Sequence, residues 1–82
     1  MLKRLPLEIV KIYVPVKRRA TLDAAKVTSL SESMLAEGLK MPIQVREDGA
    51  RFVLVEGLHR LEAAKLLGET RIDAYLVQAK KF

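Results

Sequence analysis

Glu56-Gly57-Leu58-His59-Arg60 gathers an acid, a glycine, an imidazole and a guanidinium within five consecutive residues. The preceding Phe52-Val53-Leu54-Val55 is a short apolar run rich in β-branched residues and reads as a buried strand. The following Leu61, Ala64 and Leu66-Leu67 are apolar at helical spacing, and Gly68 is placed as a C-cap. A strand that turns at Gly57 into a helix leaves the first helical N–H groups without acceptors in the helix. Those groups, the positive helix end, His59 and Arg60 would then face one point, an arrangement suited to phosphate. The plainer alternative is a turn glycine followed by a solvated His-Arg pair, because short motifs match by chance. An arginine beside a positive helix end makes more sense with an anion to offset it.

Glu56 is the acid with most chemical interest. Beside bound phosphate it could hold Mg²⁺ through an oxygen, or act as a base, so it is the one candidate catalytic and metal residue. The alternative is a charged residue that ends the strand in solvent. Glu62 reads as half of a pair on the helix face, and Glu37 either belongs to the site or simply ends the first helix. His59 is the sole histidine, so a zinc hydrolase is a poor reading. As a phosphate donor it would act best as the imidazolium. Loss of an Arg60 that grips phosphate through two nitrogens should cost about 1.5–3 kcal/mol of binding.

The elements that must position this turn can be read along the chain. At 82 residues a single domain over 1–82 is expected, with its core about 9–77. Ile9 to Val14 is a β-prone run stopped by Pro15, and Val16 to Leu22 reads as a polar, basic loop. Asp23 is placed as the N-cap of a helix running to about Glu37, closed by Gly38. Val27, Leu30, Ser31 and Met34 share one face of it, with Leu35 close by. Pro42 leads into a strand at Ile43–Arg46, and Glu47-Asp48-Gly49 is a turn signal before a returning strand from Arg51 to Val55. Arg71 to Val77 alternates polar and apolar as a half-buried last strand, and the tail Gln78 to Phe82 is expected to fray unless it continues into a partner. The order β–α–β–β–α–β predicts an α+β domain with two helices packed on a short-stranded sheet.

Composition narrows the function classes. Half of the residues are hydrophobic and there is no cysteine, which excludes disulfides, thiolate zinc sites and thiol nucleophiles. No apolar run reaches the length of a membrane span and the N-terminus has no signal-peptide apolar region, so a cytoplasmic protein without membrane association is expected. A net charge of +5 and a pI near 9.8 suit a polyanionic partner, although solubility alone also explains a modest basic excess. Lys17-Arg18-Arg19 and Lys80-Lys81 concentrate the charge.

The ordered set Val14-Pro15, Arg18-Arg19, Leu22-Asp23, Val27, Leu30, Ser33-Met34, Gly38-Leu39 and Pro42-Ile43-Gln44-Val45 resembles the first half of the ParB/sulfiredoxin superfamily domain. Phe52 through Ala64, then Leu67-Gly68 and Ile72, resemble its second half. The resemblance runs from about Ile9 to Val77 and is nearest to the stand-alone ParB-like "nuclease" domain proteins. It implies an α+β domain whose glycine turn holds nucleotide phosphates. Partition proteins of this family bind CTP as a clamp switch near DNA, sulfiredoxins bind ATP and attack with a cysteine of the turn, and free-serine kinases pass a nucleotide phosphate to serine. By resemblance, Gly57, Leu58, His59 and Arg60 form the phosphate turn, Arg18 or Arg19 supplies the basic residue after the first strand, and Gly38 to Ile43, with Pro42, lies near the base or sugar.

Leu58 stands where sulfiredoxins carry their cysteine, so that repair chemistry is excluded. Met41 is apolar where many relatives place a polar residue. The following helical segment, helix-turn-helix and dimerisation domains of ParB proteins do not fit after Phe82, so sequence-specific DNA reading by this chain alone is not expected. The resemblance then implies a nucleotide-binding switch or accessory module of a DNA-associated system, taking CTP or ATP/ADP with or without Mg²⁺. Its partners would be DNA, a DNA-binding protein or a second copy. A Mg-dependent phosphotransferase or nucleotide hydrolase using Glu56 is the alternative. A nuclease ranks last, because it needs several carboxylates around its metals and this turn offers mainly Glu56.

Overall fold

A computed structural model describes residues 3–78; the tail beyond Gln78, with Lys80 and Lys81, lies outside the described residues. Its elements are strands β1 (Lys3–Glu8) and β2 (Ile12–Tyr13), helices α1 (Val16–Arg19) and α2 (Ala24–Glu37), strands β3 (Ile43–Asp48) and β4 (Arg51–Glu56), helix α3 (Leu58–Leu66) and strand β5 (Arg71–Leu76). The strands form one sheet in the order β1-β5-β3-β4-β2. β3 lies at its centre, parallel to β5 and antiparallel to β4, while β1 pairs antiparallel with β5 and β2 pairs parallel with β4.

The hairpin β3–β4 forms from the turn expected at Asp48-Gly49, with Asp48 opposite Arg51 and Val45 opposite Leu54. The register shifts between Gln44 and Val45, so that Gln44 faces Glu56. Such an irregularity bends a strand locally, here beside the β4–α3 turn. β5 alternates as expected, with Ile72 and Ala74 buried and Arg71 exposed.

The start of the chain differs from the sequence reading. A strand was expected from Ile9 to Val14; instead the strand β1 comes earlier and includes Pro6 opposite Asp73. It is an edge strand, the place where a residue without an N–H is tolerated. Ile9–Lys11 is a 3₁₀ turn that buries Ile9 and leaves Val10 90% exposed. The amide of Ile9 donates to Thr70 O at 2.9 Å, and Lys11 Nζ lies 3.0 Å from Glu8 Oε2. Only Ile12 and Tyr13 of the β-prone run pair as strand. The basic stretch expected as a loop contains one helical turn, α1, entered from Pro15.

Helix α2 follows its expected bounds. Asp23 caps it, Oδ1 accepting from the amides of Ala25 at 2.9 Å and Lys26 at 3.4 Å. Ser31 is its one buried residue, its hydroxyl satisfied by Thr28 O at 2.8 Å. Leu35, expected near the buried face, is instead 78% exposed, because α2 rests mainly on α3 and presents a narrow stripe. α3 carries Leu58, Leu61 and Ala64 into the core, where they join Ile43, Val45, Leu54, Ile72 and Ala74 from the strands and Leu7, Ile9, Ile12 and Val14 from the N-terminal segment. Among the described residues no helix is long and apolar enough to cross a membrane.

Candidate functional site

Helices α2 and α3 lead on from β2 and β4, which run parallel, so their N-termini meet at the same end of the sheet. The amide of Asp23, which caps α2, donates to Nε2 of His59 in the first turn of α3 at 3.0 Å. Two positive helix ends therefore lie side by side.

The β4–α3 turn is built on Gly57, which has φ +106° and ψ 32°, a left-handed conformation that favours glycine. A Cβ there would lie 2.7 Å from Ile43 Cγ2, so the turn sits directly against the central strand. Having no side chain, Gly57 cannot cap the helix. The first intrahelical bond is Leu61 N–H to Gly57 O at 2.9 Å, and the amides of Leu58, His59 and Arg60 have no acceptor among the described residues. They open onto a groove of about 230 Å³ lined by Arg18, Thr21, Leu30, Glu56, Gly57, Leu58, His59 and Arg60. Small-molecule sites start at about 300 Å³, so this groove is too small to enclose a whole drug-sized ligand.

The predicted residues divide in the structure. Gly57, Leu58, His59, Arg60, Arg18 and Glu56 share the groove. Leu58 is 6% exposed and belongs to the core; what it offers the groove is its backbone. Arg60 was expected to aim its guanidinium at phosphate, but Nη1 donates to the carbonyls of Met41 and Pro42, both at 3.0 Å. It thus ties the segment before β3 to the turn. His59 accepts through Nε2, so that nitrogen is turned to the α2 cap and is not a donor to the groove.

Arg18, from α1, lies with Nη1 3.6 Å from Glu56 Oε2 at the groove mouth. Arg19 lines a separate groove with Val14, Leu22, Glu62 and Lys65, so of the two arginines it is Arg18 that lines the groove at the glycine turn. Gly38 ends α2 and lines another groove with Met34, Ala64, Leu67 and Asp73, at the opposite ends of the two helices. Pro42 is buried and reaches the turn through its carbonyl. Glu37 pairs with Lys40, and Glu62 with Lys65 at 3.0 Å, as a helix-face pair should. Among the described residues no group of three or more His, Cys, Asp or Glu could hold a metal ion.

Sequence reasoning missed Thr21, which lines the groove and fixes the end of α1 by donating from its hydroxyl to Arg18 O at 2.7 Å. A threonine after a basic run carries no periodic signal, so nothing in the sequence marks it. The tie from Arg60 to residues 41 and 42 was equally invisible, being a contact across 18 and 19 residues.

A five-stranded α+β sheet with a glycine turn into an open helix end describes a known class. The model of the ParB N-terminal domain family matches residues 2–81, and the chain belongs to that family. Within the ParB/sulfiredoxin superfamily it is similar to the chloroplastic/mitochondrial sulfiredoxin of Arabidopsis thaliana, at 40% identity over 68 residues, 83% of this chain and 53% of that protein. It is also similar to the chromosome-partitioning protein ParB of Myxococcus xanthus, at 36% identity over 56 residues, 68% of this chain and 19% of that protein. The chain thus spans about half the length of the first relative and a fifth of the second. The crystal structure of the Arabidopsis sulfiredoxin superposes with a TM-score of 0.83 at 31% identity, over 94% of this chain and 86% of that one. A C-terminally truncated ParB of Caulobacter crescentus, complexed with CTP-gamma-S, shares the fold with a TM-score of 0.82 at 22% identity, over 96% of this chain and 46% of that one.

Proposed function

We propose that the chain is a nucleotide-binding module that holds the phosphates of a nucleoside di- or triphosphate, CTP or ATP/ADP, at the Gly57–Arg60 turn. The observation that carries this reading is the open N-terminus of α3, with the amides of Leu58, His59 and Arg60 facing a groove that Arg18 overhangs. Backbone amides and a helix dipole bind the phosphate oxygens, and Arg18 adds the neutralising charge. Arg60 serves as a positioning residue, because its bonds to Met41 and Pro42 set the turn against the segment that precedes β3. The CTP-gamma-S on the Caulobacter protein supports a nucleotide as the ligand class.

A Mg²⁺ ion would find one protein carboxylate here, Glu56, and would take its remaining ligands from phosphate oxygens and water, as Mg²⁺ commonly does. Bound in that way it would neutralise phosphate charge. The same carboxylate gives the second reading, a phosphotransferase or nucleotide hydrolase with Glu56 as base. A lone acid paired with an arginine favours binding over turnover, so the switch or accessory role in a DNA-associated system is the first reading. Lys17 and Arg19 of α1, exposed and in no ion pair among the described residues, support an anionic partner such as DNA. A second copy of the chain is the other partner for a switch.

The test is calorimetric titration of CTP, ATP, ADP and GTP with Mg²⁺ into the wild type and Arg18→Gln. Arg18 is the better probe than Arg60, whose removal would also release the 41–42 segment. Binding of one nucleotide that weakens about ten-fold or more in the variant, as expected for a charge-assisted contact, establishes the site. Failure of all four nucleotides to bind folded protein would sink it. Turnover that disappears in Glu56→Gln while binding persists would select the enzymatic reading. Nucleotide-dependent dimerisation or DNA affinity, read by light scattering and by fluorescence anisotropy across salt concentrations, would select the switch.

A further inference from the structure

We infer that Glu56 is a built-in competitor at the anion groove: in the free protein it holds Arg18, and a phosphate-bearing ligand binds by taking Arg18 from it. The inference rests on the phosphate-binding reading above and adds a regulation of that site.

Two arginines and the histidine line the groove, and one nitrogen each of Arg60 and His59 is engaged with backbone elsewhere. Arg60 Nη1 is held by the carbonyls of Met41 and Pro42, and His59 Nε2 by the amide of Asp23. Arg18 is the third, and its side-chain partner among the described residues is Glu56. At 3.6 Å the contact is a charge pairing without a formed hydrogen bond, and the side chains are 40% and 60% exposed. Both ends are thus free to rearrange, and a pair of this kind is easily exchanged.

Glu56 itself cannot withdraw far. It ends β4, opposite Gln44, and the next residue is the buried Gly57 locked against Ile43. Its backbone is therefore fixed at the rim of the groove it lines with Leu58, His59 and Arg60, so its negative charge remains within the positive field that an incoming anion must use. An anion that arrives without displacing it meets like charge. One with enough charge to capture Arg18 exchanges one ion pair for another and gains the helix amides as well. The device raises the threshold for small anions such as inorganic phosphate and favours phosphate chains.

The experiment is a double-mutant cycle at low ionic strength on wild type, Glu56→Gln, Arg18→Gln and the double variant, with inorganic phosphate, pyrophosphate and tripolyphosphate as titrants. Circular dichroism confirms folding, which substitutions at these exposed positions should leave intact. Glu56→Gln is expected to tighten binding by about two- to five-fold, the range for exchange of an exposed pair. Arg18→Gln is expected to weaken binding, and the gain from Glu56→Gln should be smaller in its background, where competition for Arg18 is gone and only repulsion remains. An equal gain in both backgrounds would mean simple repulsion and overturn the competitor while the binding site stands. Weaker binding in Glu56→Gln would make Glu56 a partner of the ligand and overturn it too. No binding of any titrant by all four proteins would remove both the competitor and the site.

Discussion

An alanine at position 57 would have to adopt φ +106° and place its Cβ 2.7 Å from Ile43 Cγ2. The left-handed backbone alone costs about 1–3 kcal/mol, and overpacking a buried position about 1–3 kcal/mol more. Gly57→Ala is therefore expected to destabilise the fold by about 2–6 kcal/mol in urea unfolding. Gly68 gives the control. It has φ +78° with nothing within 4 Å of its virtual Cβ, so Gly68→Ala should cost only about 1–2 kcal/mol. Part of the turn was legible because a glycine between an apolar strand and an apolar-periodic helix has few other uses. Where His59 and Arg60 point was not legible. Their partners, the Asp23 amide and the Met41 and Pro42 carbonyls, are backbone atoms distant in sequence, and residue types do not reveal which backbone atoms a fold brings near.

Among the elements, α2 depends most on its cap, because it buries little of its own surface. Removing the Asp23 carboxylate frees the amides of Ala25 and Lys26, and Asp23→Ala should cost about 0.5–2 kcal/mol, read as a lower thermal midpoint and as faster hydrogen exchange in the first turn. The cap, both long helices, the β3–β4 hairpin and β5 were legible from capping residues and periodicity. The N-terminal segment was not. Leu5-Pro6-Leu7 looks like a strand breaker, since sequence does not say that β1 lies at an edge. Ile9 and Ile12 are buried at a spacing of three, which a β-prone composition hides.

That 3₁₀ turn also carries a pH dependence. The hydrogen bond and charge of Lys11 hold the Glu8 carboxyl below the usual glutamate value. A lowered folded-state value means that the contact stabilises the protein above the ordinary glutamate range and stops doing so as pH falls through the lowered value. Glu8→Gln should therefore be slightly less stable than wild type at neutral pH, with the gap closing on acidification. Paired urea titrations at several pH values would show it, and a gap that persists in acid would count against the pairing.

At the scale of the whole molecule, a ligand that binds only the folded chain must raise its stability. Nucleotide at one hundred times its dissociation constant contributes about 2.7 kcal/mol, which for a domain of this size corresponds to roughly 11–22 °C in melting temperature. That rise is expected for wild type with its preferred nucleotide and should be strongly reduced in Arg18→Gln at the same concentration. The α+β class was legible because hydrophobic order along the chain determines which layers can form, and the family through the resemblance of the ordered motif set around Gly57-Leu58-His59-Arg60. The five-stranded order was not, since β1 (Lys3–Glu8) lies ahead of the one strand expected at Ile9 to Val14, of which only β2 forms.

The two ends of the sheet have a further consequence. β2 offers only two paired residues, and β1 carries Pro6, which lacks a donor, between the exposed Lys3 and Arg4 and the exposed Glu8. Neither rim is a good template for another strand, so the fold is guarded against runaway edge-to-edge polymerisation. Assembly through side chains and helices is therefore favoured over the addition of strands at these two rims.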